Sequence, residues 1–462
     1  VGSVTPHLMK TVMYKPDIHS GRLKVDEYRD NFADIHPPLS WHEARMASDR
    51  CLYCEAAPCI TACPTHINVP SFIHRIATHN IDGAAQTILD ANILGGSCAR
   101  VCPTEILCEQ ACVRNKEPEC LPVAIGLLQR FAIDNRSENH HPFTRKASTG
   151  KSVAVVGAGP AGLACAHRLS RFGHDVTLYD AKPHSGGLNE YGIAAYKLVE
   201  DYAQKEIEFV LGLGGIHPQY EKRLGKDMSL DTLRETFNAV FLAPGLGGSN
   251  SLGLSGEHCQ GVEDAIKAID RLRQTRQLNT LPVGRRVIVI GGGNTAIDIA
   301  CQSKRLGADE VTLVYRRGAE DMSATDHEQA FARDNGIRII HWARLSSIET
   351  VEGHLKAVTF TRTQINDNGL LKDTEEHFHL PADTLYKAIG QHLLEDCFAQ
   401  CSEPPAIEAG RIATDMNFKT SLDNVWAGGD CILQGDNLTV QAVEHGKQAA
   451  LAIDRFLNDE RG

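Results

Sequence analysis

At 462 residues and 50.4 kDa, the chain is long enough for about three domains of roughly 150 residues each. Hydrophobic residues make up 42% and charged residues 23%, which excludes a disordered, collagenous or fibrous protein. A formal net charge of -11 and a pI near 6.0 argue against nucleic acid as a partner, and no run approaches the roughly 18 apolar residues of a membrane span.

The N-terminus lacks a charged-then-apolar signal peptide, and Val1-Gly2-Ser3 stands where an initiator Met would, as a cleavage scar does. Residues 1 to about 45 are polar, broken at His36-Pro37-Pro38, and read as an arm lying on something else. From Trp41 to about Asn135 the pattern is helical between Cys-rich loops. Helix starts are expected at Val69-Pro70-Ser71-Phe72-Ile73 and at Asp82-Gly83-Ala84-Ala85. The polar stretch Arg136 to Thr149 reads as a linker.

Fifteen cysteines are the unusual count, and nine of them lie between Cys51 and Cys120. Disulfide-rich secreted proteins are usually short. Cysteines packed into one segment of a long chain without a signal read instead as cytoplasmic and metal-binding. The first group is Cys51-x2-Cys54-x4-Cys59-x3-Cys63-Pro64, and the second is Cys98-x3-Cys102-Pro103-x4-Cys108-x3-Cys112. Iron–sulfur cubanes take four ligands, usually soft thiolates, and a Pro after the last Cys belongs to the bacterial ferredoxin pattern. Eight thiolates in two groups therefore predict two [4Fe-4S] clusters. Structural zinc is the competing reading, but it favours C-x2-C pairs, and only Cys51 and Cys54 form one. Cys120, Cys165, Cys259, Cys301, Cys397, Cys401 and Cys431 are expected to be small buried hydrophobes.

At Lys151 the texture changes. The apolar run Val153-Ala154-Val155-Val156 leads into Gly157-Ala158-Gly159-Pro160-Ala161-Gly162 and a helical pattern. The first Gly permits the tight turn, the second a close approach of pyrophosphate, and the third close helix–strand packing. The confirming acid belongs about 20 residues on. Asp180, after Val176-Thr177-Leu178-Tyr179, supplies it.

The unit recurs at Val287-Ile288-Val289-Ile290 with Gly291-Gly292-Gly293-Asn294-Thr295-Ala296. Its second strand, Val311-Thr312-Leu313-Val314-Tyr315, ends in Arg316-Arg317 rather than an acid. Guanidinium groups match a 2′-phosphate, which favours NADP over NAD; a solvated Arg pair is the plain alternative. Thr384 to Gly390 reads as the close of the nicotinamide domain, and Phe241-Leu242-Ala243-Pro244-Gly245 as its flavin counterpart. Ala427-Gly428-Gly429-Asp430 suits a flavin ribityl or pyrophosphate contact. Strands alternating with helices predict doubly wound α/β domains on parallel sheets.

Together, these motifs resemble the small-subunit family of glutamate synthase and the N-terminal half of dihydropyrimidine dehydrogenase. The Cys spacing, Cys98-Ala99-Arg100-Val101-Cys102-Pro103-Thr104-Glu105, Ile125-Gly126-Leu127-Leu128-Gln129-Arg130-Phe131 and Asn31 to Pro38 are more similar to the second. Within it they resemble the smaller, flavin-carrying subunit of bacterial two-subunit enzymes, over nearly the entire chain. The resemblance implies an all-α iron–sulfur domain and an FAD domain interrupted by an NAD(P) domain. The corresponding spans are an arm at 1–45, the cluster domain at 46–148, the FAD domain at 149–251 and 395–462, and the NAD(P) domain at 252–394, with hinges near Ser251 and Leu394.

The resemblance also implies ligands. One cluster takes Cys51, Cys54, Cys59 and Cys112; the other takes Cys63, Cys102, Cys108 and the amide oxygen of Gln129, leaving Cys98 a spectator. Chemistry alone favours Cys98 over Gln129, because thiolate is the better iron ligand. FAD falls to Gly157, Gly159, Gly162, Asp180, Leu188, Lys197, Asp430, Thr439 and Val440; a solvated surface Lys is the alternative for Lys197. The nicotinamide nucleotide falls to Gly291, Gly293, Asn294, Thr295, Arg316 and Arg317. Ser323 aligns where NADPH-using relatives can carry a further Arg.

The implied activity is electron input. Hydride from NAD(P)H passes to FAD, and single electrons pass through the clusters to a larger FMN- and iron–sulfur-containing subunit. That subunit reduces uracil or thymine reversibly to the 5,6-dihydro form, in a heterotetramer. No acid/base residue is assigned here, because the cofactors carry the chemistry. Three rivals stand beside this reading. One is the same module feeding glutamate synthase. Another is a disulfide reductase, which needs a C-x2-C that does not occur beyond residue 150. The last is a non-enzymatic scaffold subunit.

Overall fold

The computed structural model describes residues 16–116, 120–137 and 141–459. Val1-Gly2-Ser3, the arm before Pro16, and Glu138-Asn139-His140 of the expected linker lie outside the described residues. The chain divides into two compact units. One takes the described residues up to Asn31 with Ser251–Ala268 and Thr275–Ile389; the other takes Phe32–Asn250, Ile269–Gln274 and the described residues from Gly390 on.

The larger unit begins with helices Trp41–Asp49, Val69–Ala77, Ile81–Ala91, Gly95–Val101 and Ile125–Asp134. Local chemistry sets their starts. Ser40 and Glu43 form a reciprocal capping box, and Asn68 and Asn80 accept from Ser71 N and Gly83 N. Val69, Phe72, Ile73 and Ile76 are buried at helical spacing. They join one core with Leu128 and Phe131, continuous with Val153, Leu169 and Ile453.

A parallel five-stranded sheet follows, in the order Val425–Ala427, Ala239–Leu242, Ser152–Val156, Asp175–Tyr179, Ile216–Gln219. Its central strands are almost wholly buried apolar runs, as a sheet covered on both faces requires. Helix Pro160–Arg171 follows the central strand and packs on the long helix Thr439–Asp459. Gly446 permits that approach: a Cβ there would lie 2.0 Å from Ala161 O.

The smaller unit repeats the scheme with a parallel sheet ordered Arg338–Ile340, Glu310–Val314, Arg286–Ile290, Thr384–Lys387, Val262–Asp264. It also carries an antiparallel sheet of strands Ala343–Val351, His354–Ile365 and Leu371–Pro381, which the alternating strand–helix reading did not include. Part of the N-terminal arm lies on this unit. Strand Ile18–His19 pairs with Val283–Gly284, and Asn31 Nδ2 donates to Arg305 O at 2.9 Å.

None of the fifteen cysteines forms a disulfide. Of the seven outside the two groups, Cys165, Cys301, Cys397 and Cys431 are buried, and Cys259 and Cys401 are half-buried. Cys120 is exposed, against expectation.

Candidate functional site

The two sequence groups of cysteines do not map onto two separate sites; the fold interleaves them. Cys51, Cys54, Cys59 and Cys112 line one hollow of about 20 Å³, walled by Val69, Ile73, Val123 and Ile125. Cys63, Cys98, Cys102, Cys108 and Gln129 line a second, also of about 20 Å³. Cys59 lies on the short helix Pro58–Thr61 and Cys63 just beyond its end, and the two line different hollows.

Burial pushes the Cys51 thiol up, the Cys59 thiol up to about 11, and the Cys108 thiol higher still. The Cys102 thiol is raised first by its hydrogen bond with Cys98 and then by burial. Packed thiolates therefore need a positive core between them, which a metal cluster supplies. Among the described residues no three His, Cys, Asp or Glu side chains converge tightly enough for a single ion. Instead four cysteines line the first hollow, and four cysteines with Gln129 line the second, a sulfur-rich donor set that suits an iron–sulfur core.

Gln129 is 92% buried, 8% of its surface remaining exposed. Its Nε2 donates to Gly95 O at 2.6 Å. A carbonyl can only accept, so the bond fixes the amide with NH2 toward Gly95, and the residue lines the second hollow. Glu206 braces this corner from helix Tyr202–Leu211, accepting from Gly96 N at 2.8 Å, from Ser97 N, and from Ser97 Oγ. Sequence reading did not reach Glu206, because 109 residues separate it from Ser97.

Four separated segments form a cradle in the same unit. Gly157 takes φ +101, and a Cβ there would lie 2.0 Å from Ala243 O. A Cβ on Gly162 would lie 1.8 Å from Gly157 O, whereas one on Gly159 would meet only Gly187 Cα at 3.6 Å. The turn is thus closed at its first and third Gly and open at its second, the arrangement a pyrophosphate needs at a helix N-terminus. Asp180 accepts from Ala158 N at 2.7 Å and from Lys182 N at 2.8 Å. Burial raises its carboxyl against those bonds.

Gly187 packs against Gly159, an added Cβ lying 2.7 Å from the Gly159 Cα, and Leu188, next in the chain, remains 38% exposed. Gly429 sits beside Ala161 and carries Asp430 to the start of the fingerprint helix. Burial raises the Asp430 carboxyl. Thr439 Oγ1 donates to Asn189 Oδ1 at 2.9 Å. Lys197 is half-buried, in a turn closed by its N–H on Ala194 O at 3.0 Å. Sequence reading missed Asn189 and His445, whose Nδ1 accepts from Gly429 N at 3.2 Å. Burial holds His445 down to about 4, so it is neutral and can accept. The Gly186-Gly187 pair before Leu188 was the available signal for the first of these.

The second fingerprint lies in the smaller unit. Gly291 takes φ +146, with a Cβ 2.2 Å from Ala388 O, and Gly292 would strike the Tyr315 ring. Gly293 faces Ser323 Oγ at 3.1 Å from an added Cβ. Helix Asn294–Arg305 opens there, with Asn294 exposed and Thr295 half-buried. Arg316 and Arg317 follow strand Glu310–Val314, and both are exposed. The antiparallel sheet holds Arg316 in place, Thr363 Oγ1 donating to Arg316 O at 2.7 Å, and Trp342 N donates to Arg317 O at 3.1 Å.

Residues 151–446 match the family described as pyridine nucleotide-disulphide oxidoreductase. Residues 28–141 match the one described as dihydropyrimidine dehydrogenase domain II, 4Fe-4S cluster. The NAD-dependent dihydropyrimidine dehydrogenase subunit PreT of Escherichia coli (strain K12) is 36% identical over 434 residues, covering 93% of this chain and 98% of the relative. The glutamate synthase [NADPH] small chain of the same organism is 34% identical over 450 residues, 92% of this chain and 94% of the relative.

Among solved structures, Mycobacterium tuberculosis FprA in complex with NADPH matches with a TM-score of 0.57 at 17% identity, over 67% of this chain and 85% of that one. T. acidophilum thioredoxin reductase matches with a TM-score of 0.51 at 17% identity, over 68% of this chain and 100% of that one. These two likenesses show the fold alone. No described helix is long and apolar enough to cross a membrane.

Proposed function

Because the chain belongs to the pyridine nucleotide-disulphide oxidoreductase family, joined here to a 4Fe-4S domain of the dihydropyrimidine dehydrogenase type, we propose that it is the electron-input subunit of a dihydropyrimidine dehydrogenase. The observation that carries this reading is the place of Val440. It is the second residue of helix Thr439–Asp459 and a wall of the second hollow. Its neighbour Thr439 bonds Asn189 beside Leu188 in the cradle. Cradle and hollow therefore share one helix start within one compact unit. Lys447 reinforces the join, its Nζ donating to Thr65 O at 3.2 Å and Ala91 O at 3.0 Å.

In this reading Gly157, Gly159, Gly162, Asp180, Leu188, Lys197, Asp430, Thr439 and Val440 hold FAD. Gly291, Gly293, Asn294, Thr295, Arg316 and Arg317 hold NADP or NAD, the Arg pair favouring the 2′-phosphate. Cys51, Cys54, Cys59 and Cys112 hold one [4Fe-4S] cluster; Cys63, Cys102, Cys108 and Gln129 hold the other. Flavin supplies the conversion of a two-electron hydride into single electrons.

The larger FMN subunit would dock on the cluster domain. Leu52, a wall of the first hollow, is 53% exposed, and Tyr53 beside it is exposed as well. Arg50 fixes the nearby loop by donating to Pro122 O and Leu121 O, and Leu121 is exposed too. Apolar side chains held open at a cofactor site suit a protein partner. The 34% identity to the glutamate synthase small chain keeps that enzyme as the second reading. The deciding assay is NAD(P)H oxidation by the chain with the purified FMN subunit. Uracil- or thymine-dependent turnover is expected. Turnover that instead needs glutamine and 2-oxoglutarate with a glutamate synthase large subunit would overturn the proposal, and dye reduction by the chain alone would exclude a mere scaffold.

A further inference from the structure

The second hollow is lined by a buried amide that the protein leaves half satisfied. Besides its cysteines, three residues with polar side chains line it: Asn92, Thr104 and Gln129. Two of them are engaged. Gln129 Nε2 donates to Gly95 O, and Thr104 bonds the Glu109 carboxyl. Asn92 differs. It is fully buried and follows helix Ile81–Ala91, where its own N–H donates to Ile88 O at 2.8 Å. Its Oδ1 accepts from Leu94 N at 3.0 Å, an Asx turn that leads into helix Gly95–Val101. A backbone N–H can only donate, so this bond fixes which end of the amide is oxygen. The Nδ2 end is then buried with no hydrogen-bond partner among the described residues. An amide donor shut away from solvent is costly to leave unpaired, and native proteins rarely do so.

We propose that Asn92 Nδ2 donates a hydrogen bond to a sulfur of the second cluster and raises its reduction potential. This rests on the reading that the second hollow holds a cubane. Sulfide and thiolate sulfurs are acceptors, and hydrogen bonds to them help set a cluster's potential. The reduced cluster carries one more negative charge than the oxidised one, so the donor stabilises the reduced form more. The amide loses no proton and no iron ligand changes; the one electron comes from reduced flavin. The position of the donor gives it a use. Val440 lines the same hollow from the helix start that the flavin cradle shares, so Asn92 makes the cluster beside the flavin the better acceptor. The first hollow has no such amide: apart from its cysteines and Arg114, its walls are apolar.

The experiment compares the anaerobically reconstituted full chain with Asn92→Ser and Asn92→Ala. Both remove the amide donor without adding charge, and only Ser keeps an oxygen that can accept from Leu94 N. The second cluster's midpoint potential is read by electron paramagnetic resonance during reductive titration. The Cys59→Ser protein, expected to keep that cluster alone, assigns its signal. First-cluster signal and flavin content serve as folding controls. At a fixed solution potential the ratio of reduced to oxidised second cluster should fall about tenfold in both variants, a drop of about 59 mV for one electron, with the first cluster unchanged. Wild-type protein carrying asparagine isotopically labelled at the side-chain nitrogen gives a reading that needs no substitution. Pulsed resonance should show that nitrogen coupled to the reduced second cluster. An Asn92→Ser potential equal to wild type overturns the proposal, because the amide then serves only the turn or holds a water. Absence of the nitrogen coupling overturns it as well. Zinc, or no iron at all, in the wild-type protein would instead overturn the cubane reading beneath it.

Discussion

Gly157 shows how much one residue carries. Its φ of +101 and the 2.0 Å approach of an added Cβ to Ala243 O mean that Gly157→Ala meets both strain and a backbone clash. Strain alone costs about 1–3 kcal/mol. FAD is expected to be absent from the purified variant while its iron content stays normal, checked by the flavin absorbance and iron assay. Cys59→Ser removes one thiolate from the first hollow only, so iron should fall from about eight to about four atoms per chain. Arg316→Ala with Arg317→Ala removes two exposed guanidiniums. Hydrogen bonds to a charged phosphate contribute about 1.5–3 kcal/mol, so NADPH kcat/KM should drop roughly tenfold or more with NADH unchanged. These residues were legible because glycines and cysteines at fixed spacing leave a local mark. Asn189, His445 and Glu206 were not, since each acts through a partner far along the chain.

Elements explain what the motifs could not. The strand–turn–helix units announce themselves through buried apolar runs and Gly-rich turns. The antiparallel sheet of Ala343–Pro381 does not, because its strands mix exposed, half-buried and buried positions without clean alternation. That sheet nevertheless positions Arg316, through Thr363. A second device lies where the smaller unit resumes at Ser251. Glu257 accepts from Ser251 Oγ at 2.6 Å, from Leu252 N and Gly253 N, and from Lys387 Nζ at 2.8 Å. Lys387 ends the strand that leads to Ala388, the residue against Gly291. Burial alone would raise the Glu257 carboxyl, but Lys387, Ser251 and the two amides hold it down to about 2.

A depressed carboxyl stabilises the fold above its ordinary pKa of 4.5 and loses that contribution as pH falls through about 2. Thermal melts across pH 7 to 2 should therefore show an acid-side loss that Glu257→Gln lacks in part. At pH 7 the same variant leaves Lys387 its ion pair with Asp264 at 3.2 Å, so only a modest fall in Tm is expected.

At the scale of the whole molecule, the chain places a nucleotide cradle and two cysteine-lined hollows on one continuous core. The second fingerprint and part of the arm lie on a separate unit. The order of the modules was legible in the sequence, because each carries its own motif. The interleaving of the two cysteine groups was not a matter of spacing; it depends on where helix Pro58–Thr61 and the loop before Cys112 come to rest. The shared position of Val440 arises the same way, from the packing of helix Thr439–Asp459 against the cluster domain. Electron input requires these parts to act in series. The most direct test is an anaerobic titration of the purified chain with NADPH and NADH, following flavin absorbance and cluster paramagnetic resonance together. Bleaching of one FAD per chain followed by reduced-cluster signals, with about eight irons present, is the predicted result. Flavin that neither nucleotide reduces, or reduced flavin beside clusters that stay oxidised, would contradict it.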